Sequence, residues 1–238
     1  MISQATAAAL ARVAERATDV RHTYEAGFEP SDASSGTRDA APARTLDPLS
    51  VAAPADSYFA VGGSDGPRFT RDGSFSLIDG ELRARDGAAV LGYARDGAPL
   101  APLRIESVDA ALGRASDARL ERDGSLTYAR ASLDPRSGAR RVERVVAGRL
   151  ALVSFPAGTP GVRVDETHLS APPGVRPSYS RPGERGSDLL QTHARDLGRI
   201  DPSTGVRRLQ EAYMALDALH AAGYAADSLD RAALDLVK

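Results

Sequence analysis

The chain has no cysteine, no asparagine, and a lysine only at its last position, Lys238. Without cysteine there are no disulfides and no thiolate metal sites. No apolar run approaches the roughly 18 residues of a membrane-spanning helix, so membrane insertion is not expected. The formal charge of −2 offers no basic footprint for nucleic acid. A signal peptide's basic start and compact apolar core are also missing, because Arg12, Glu15 and Arg16 interrupt the Ala-rich beginning. No cleavable signal peptide is therefore expected. Arginine, alanine, glycine and proline are abundant where lysine and asparagine are scarce. Codon bias in the source genome explains this and weakens any functional reading of the many arginines. A motif normally built on asparagine has to appear here in altered form.

The most informative stretch is 69–93, FTRDGSFSLIDGELRARDGAAVLGY. Asp-Gly recurs at 65–66, 72–73, 79–80 and 86–87, and again at 123–124. Such pairs favour hairpin turns, because glycine tolerates φ > 0 and aspartate caps its own turn. The short apolar runs between them predict strands of about 4–5 residues in a small meander. Strand patterns continue to about residue 170; 142–155 is one of them, and its run 145–153 is the most apolar. It reads as central in a sheet, with Gly148 marking a bulge or break.

Helical patterns lie at both ends. Leu10, Val13, Ala17, Val20 and Tyr24 form a heptad-like seam within 3–26, and Val206, Leu209, Tyr213 and Leu216 form another within 203–237. Gly223 marks a kink or break in the second. The fold class is α+β: a mainly-β body of short antiparallel strands and hairpins, with long N- and C-terminal helices packed together. The expected division is 1–28 with 199–238 as a helical axial domain, 29–57 as a linker or extended loop, and 58–198 as the β-rich body. Both helical segments are rich in alanine, so a lone pair buries little and neighbouring copies are needed to complete it.

The block Phe69-Thr70-Arg71-Asp72-Gly73-Ser74-Phe75, then Gly80-Glu81-Leu82, then Val90-Leu91-Gly92, resembles the "YTRDGSF…DGEL…DG..VLG" block of the rod and hook proteins of the bacterial flagellum. Tyr58-Phe59-Ala60-Val61 matches the strand that precedes it. Asp19-Val20 followed by Gly27-Phe28 is similar to the family's N-terminal signature, with Asp19 in the place of an asparagine. Ile200-Asp201-Pro202 and Gln210-Glu211-Ala212-Tyr213 resemble the C-terminal signature. The chain's length, and the absence of a large inserted domain, are more similar to a rod member than to a hook member.

The resemblance implies a structural subunit of the basal-body rod with no catalytic residue and no cofactor. Its partners would be copies of itself, other flagellar rod or hook proteins, and the flagellar export apparatus. It would lie in the periplasm-spanning rod, and the seam residues would form its assembly interface. Two readings compete with it. One is a soluble β-rich binding module. The other is a serine hydrolase, because Gly62-Gly63-Ser64-Asp65-Gly66 fits G-x-S-x-G; the segment after it, however, reads as a strand where a nucleophile elbow needs a helix. His22, His168, His193 and His220 are scattered without metal-ligand spacing. The Arg-Asp-Gly series is explained by hairpin turns carrying exposed arginines.

Overall fold

A computed structural model describes residues 4–23, 42–105, 116–133, 138–159, 161–184, 187–197 and 202–236. They form a mainly antiparallel β body and two helices, divided between two compact units, 4–23 with 202–236 and 42–197.

The helical unit consists of α1 (Gln4–Arg21) and α2 (Pro202–Leu236). The first helix, at 18 residues, is shorter than the expected 3–26; a turn follows at His22 and Thr23, and 24–26 lie outside the described residues. The Thr23 hydroxyl ends the helix by donating to the carbonyls of Asp19 at 3.1 Å and Val20 at 3.0 Å. The second helix, at 35 residues, runs through Gly223 without the expected break. An added Cβ at Gly223 would meet nothing within 4 Å. Glycine costs a helix interior about 1 kcal/mol relative to alanine, so Gly223→Ala should raise the stability of the helical unit by up to about that amount. The helical circular-dichroism signal in a thermal melt reads the change.

The body opens with β1 (Ala43–Arg44) and β2 (Val51–Ala52). Then come β3 (Tyr58–Gly63), β4 (Gly66–Thr70), β5 (Ser76–Ile78), β6 (Glu81–Arg83), β7 (Leu91–Tyr93) and β8 (Ala101–Pro102). The longest strands are β10 (Ser125–Leu133) and β11 (Arg140–Leu150), preceded by β9 (Ser116–Leu120). The remainder are β12 (Leu152–Ser154), β13 (Val162–Arg163), β14 (His168–Ser170), β15 (Ser178–Ser180), β16 (Gln191–Thr192) and β17 (Ala194–Arg195). Two sheets dominate. One has the order β13-β14-β4-β3-β12-β15, and the other β8-β7-β11-β10-β9.

Turn chemistry explains the hairpins. Asp79 and Gly80 both take positive φ, 51° and 76°, in the two-residue turn that pairs Ile78 with Glu81. That is the type I′ geometry Asp-Gly favours, because its twist matches the flanking strands. A further Asp-Gly turn, at 123–124, joins β9 to β10.

The apolar run 142–155 is two strands in two sheets. The chain leaves the five-stranded sheet after Leu150 and enters the six-stranded one at Leu152. Only its second half is central, and Val142 and Val146 are exposed. The register shift expected at Gly148 falls beside it, where Leu126 pairs with Gly148 but Thr127 with Val146.

Strand alternation then builds two cores. Phe59, Val61, Leu150 and Leu152 join one cluster with Phe75, Leu82 and Leu126, while Ala60, Ala151 and Val153 join another with Phe69 and Leu169. Full burial of side chains such as Phe59 contributes about 1.5–3 kcal/mol each. Part of the stretch expected as a linker, 29–57, belongs to this body. Val51 is fully buried, its N–H donates to the Gly73 carbonyl at 3.0 Å, and Ala52 pairs with Gln191. Residues 29–41 lie outside the described residues.

Candidate functional site

On the helices, the nine seam residues do not share one environment. Val13 and Leu216 are buried, Ala17, Val20 and Leu209 are half-buried, and Tyr24 lies outside the described residues. Leu10, Val206 and Tyr213 face solvent, at 43%, 44% and 50% exposure. The cluster that actually forms is Val13, Ala212 and Leu216, with Ala9 and Leu209 against them.

Helix geometry gives the reason. At 3.6 residues per turn, Leu209, Ala212 and Leu216 fall within roughly 60° of one another, and Val206 and Tyr213 lie to one side of them. Ala9 and Val13 bear the same relation to Leu10. Contact between the helices is therefore centred to one side of both stripes, and the side bearing Leu10, Val206 and Tyr213 is uncovered. Met214, Leu219 and Tyr224 are also exposed on α2. Sequence spacing missed Ala9 and Ala212 because alanine carries little apolar signal. Asp19, in the asparagine position of the resemblance, is buried and pairs with Arg16 at 3.2 Å.

In the body, the segment Thr70 to Phe75 forms a buried polar node. Arg71 was expected to be one of several exposed turn arginines; it is buried instead. Its guanidinium forms an ion pair with the equally buried Asp196. It also donates to the carbonyls of Ser57 at 2.8 Å, Pro54 at 3.1 Å and Ala53 at 3.3 Å. The planar five-donor group suits this role because every partner is an acceptor.

Asp72-Gly73 is likewise not a positive-φ hairpin turn. The Thr70 hydroxyl accepts from the Asp72 N–H at 3.0 Å, and the Asp72 carboxylate accepts from the Ser74 N–H at 2.9 Å. A Cβ on Gly73 would collide with the Val51 carbonyl oxygen, and one on Gly92 with that of Arg149. Phe75 stacks edge-on against Phe59 at 5.2 Å between centroids. Glu81, also buried, pairs with Arg104 at 2.6 Å. The residues that carry the family resemblance are thus the ones that close the body's core.

Burial raises the Asp72 carboxyl above its ordinary value, against the opposing pull of the Ser74 hydrogen bonds and of Arg85 and Arg195. The native state therefore holds this proton to higher pH than the unfolded chain does. Asp72 contributes most below the unfolded value, and that contribution is lost as pH rises through the native one. Asp72→Asn keeps an acceptor for the Ser74 N–H and removes the buried charge. It should raise the melting temperature at neutral pH and have little effect at pH about 3. Parallel melts at the two pH values check the sign.

The reactive candidates look different in place. Ser64 and Asp65 form the two-residue turn between paired Gly63 and Gly66, a strand–turn–strand arrangement. The Ser64 hydroxyl donates to Asp65 at 3.0 Å and accepts from Arg68 at 3.4 Å. No helix follows to make a nucleophile elbow. His168 is buried, with Nδ1 at 2.8 Å from Asp165 and Nε2 at 3.5 Å from Asp86. Burial works against the Asp165 charge, but hydrogen bonds from Thr167 and His168 hold its carboxyl below the usual range. Asp86, Thr167 and His168 border a small cavity of about 240 Å³ with Thr70, Asp72, Ala84 and Arg85. Among the described residues, no group of three or more His, Asp or Glu is arranged to hold a metal ion.

No family model matches the chain, and no curated protein matches it.

Proposed function

We propose that the chain is a structural subunit of the bacterial flagellar basal-body rod, self-assembling into a helical tube through its terminal helices and supporting motility. The observation that carries this reading is the uncovered apolar side of the helical unit. Among the described residues, the buried apolar ones there are Val13, Ala212 and Leu216, while Leu10, Val206 and Tyr213 are exposed. Most helical stability in proteins comes from tertiary packing, and the small cluster around Val13 supplies little of it to the 18-residue α1. Neighbouring subunits laid along this side supply what is missing. In this reading the terminal helices pack together as the axial domain.

The body supports the same role. Its motif residues Arg71, Gly73 and Glu81 form buried ion pairs and a close backbone approach that hold the body together. The partners are copies of the chain, other rod or hook proteins and the flagellar export apparatus. The location in this reading is the periplasm-spanning rod.

The test is deletion of the gene in the source strain. Loss of motility, restored equally by the parent gene and by Ser64→Ala, is the expected result. A motile deletion strain contradicts the assignment, and failure of Ser64→Ala to complement shifts it to the hydrolase.

A further inference from the structure

The hairpin of β10 and β11 carries a feature that the rod assignment does not use. Among the described residues, 140–146 of β11 pair only with β10, Ala147 is the extra residue at the register shift, and β7 reaches no further than Arg149 and Leu150. The outer edge of eight residues therefore presents unpaired backbone N–H and C=O groups. An open edge is a template for another strand. Its side chains are exposed as well, with Val142 at 62% and Val146 at 58%. Arg140 and Arg141 are exposed. Arg144 pairs with Asp117, and Arg130 with Glu143 at 2.6 Å. The edge is thus basic and apolar by turns, in a protein whose overall charge is −2.

We propose that the outer edge of β11 is a docking site for an extended acidic segment of another protein, added antiparallel as a further strand. Charge decides between this occupant and a second copy. With a second copy, the antiparallel register that sets Val142 opposite Val146 sets Arg144 opposite its own counterpart, and like charges directly opposite destabilise a strand pair. Edge arginines of this kind block self-pairing. Exposed Arg140 and Arg141 attract a strand with carboxylates opposite them, with Arg144 beside them shared with Asp117, and the valines then meet apolar side chains of that strand. Main-chain hydrogen bonds supply affinity, and charge supplies partner choice.

The probe is a labelled peptide, Thr-Val-Val-Glu-Thr-Val-Glu-Glu, whose three glutamates fall opposite Arg144, Arg141 and Arg140 in antiparallel register. Its control has lysine for each glutamate. Fluorescence anisotropy with the full chain should show the acidic peptide binding at least about tenfold more tightly, with an advantage that shrinks as salt is added. Arg140→Glu/Arg141→Glu should reverse the preference. Both positions are exposed, so this variant should melt with the parent. Hydrogen exchange should slow on binding at alternate amides within 140–147. Equal binding of the two peptides overturns the proposal. So does binding without slowed exchange at 140–147, which marks a diffuse basic patch that heparin fills equally well. Slow exchange at those amides in the peptide-free protein, with a dimer in sedimentation, also overturns it and assigns the edge to a second copy.

Discussion

Replacing Arg71 with methionine is expected to destabilise the β body by about 3–5 kcal/mol, the usual loss when one partner of a buried ion pair is removed. The Asp196 carboxylate stays buried without its cation. The carbonyls of Ala53, Pro54 and Ser57 lose a donor at the same time. Total stabilities of domains are only about 5–15 kcal/mol, so much of the population unfolds on mild heating. Adding Asp196→Leu should recover part of the loss, because it removes the orphaned charge; full recovery is not expected, since the three carbonyls remain. A denaturant-melt double-mutant cycle measures both effects. If Arg71→Met melts within about 1 kcal/mol of the parent, the node is not what closes the body.

Tyr213→Asp is expected to abolish assembly and leave the isolated protein folded. Tyr213 is half exposed on the uncovered side of α2. In the free chain a carboxylate there stays in water, and the change costs less than about 1 kcal/mol, mostly through helix propensity. In a packed tube the same carboxylate is buried without a partner and costs several kcal/mol. Leu209→Asp is a poorer probe, because Leu209 packs against Val13, Ala212 and Leu216 within the helical unit. That substitution should weaken the free protein as well. Motility of complemented cells and melting of purified proteins separate the two variants. If Tyr213→Asp assembles normally, the uncovered side is not an interface.

What was legible in the sequence was local. Asp79-Gly80 announces its turn because φ > 0 at both positions is a property of those two residues. Phe59 and Val61 announce their face by alternation. Gly62 to Gly66 reads as a hairpin because Pro67 to Thr70 continues as a strand.

The illegible parts depend on distant partners. Arg71 looks like any other arginine before Asp-Gly, and its burial is set by Asp196, which is 125 positions away. Val51 sits in a Ser-, Asp- and Pro-rich stretch and is recruited by the Gly73 carbonyl and by β16. Val146 looks central because it lies in the most apolar run, but the hairpin carries it beyond the packed part of the sheet. On the helices, the heptad spacing found the stripes, yet spacing alone does not fix which side a partner helix covers. Leu10, Val206 and Tyr213 were therefore grouped with Val13 and Leu216, although the helices' own contact leaves them uncovered.

A chain proposed as a building block of the flagellar rod should be found in the organelle itself. Quantitative mass spectrometry of basal bodies purified from the source strain tests this most directly. The account predicts that the chain is present in several copies per basal body, and that Tyr213→Asp removes it from the particles without lowering its level in the cell. A chain abundant in the cell but absent from purified basal bodies would contradict the account.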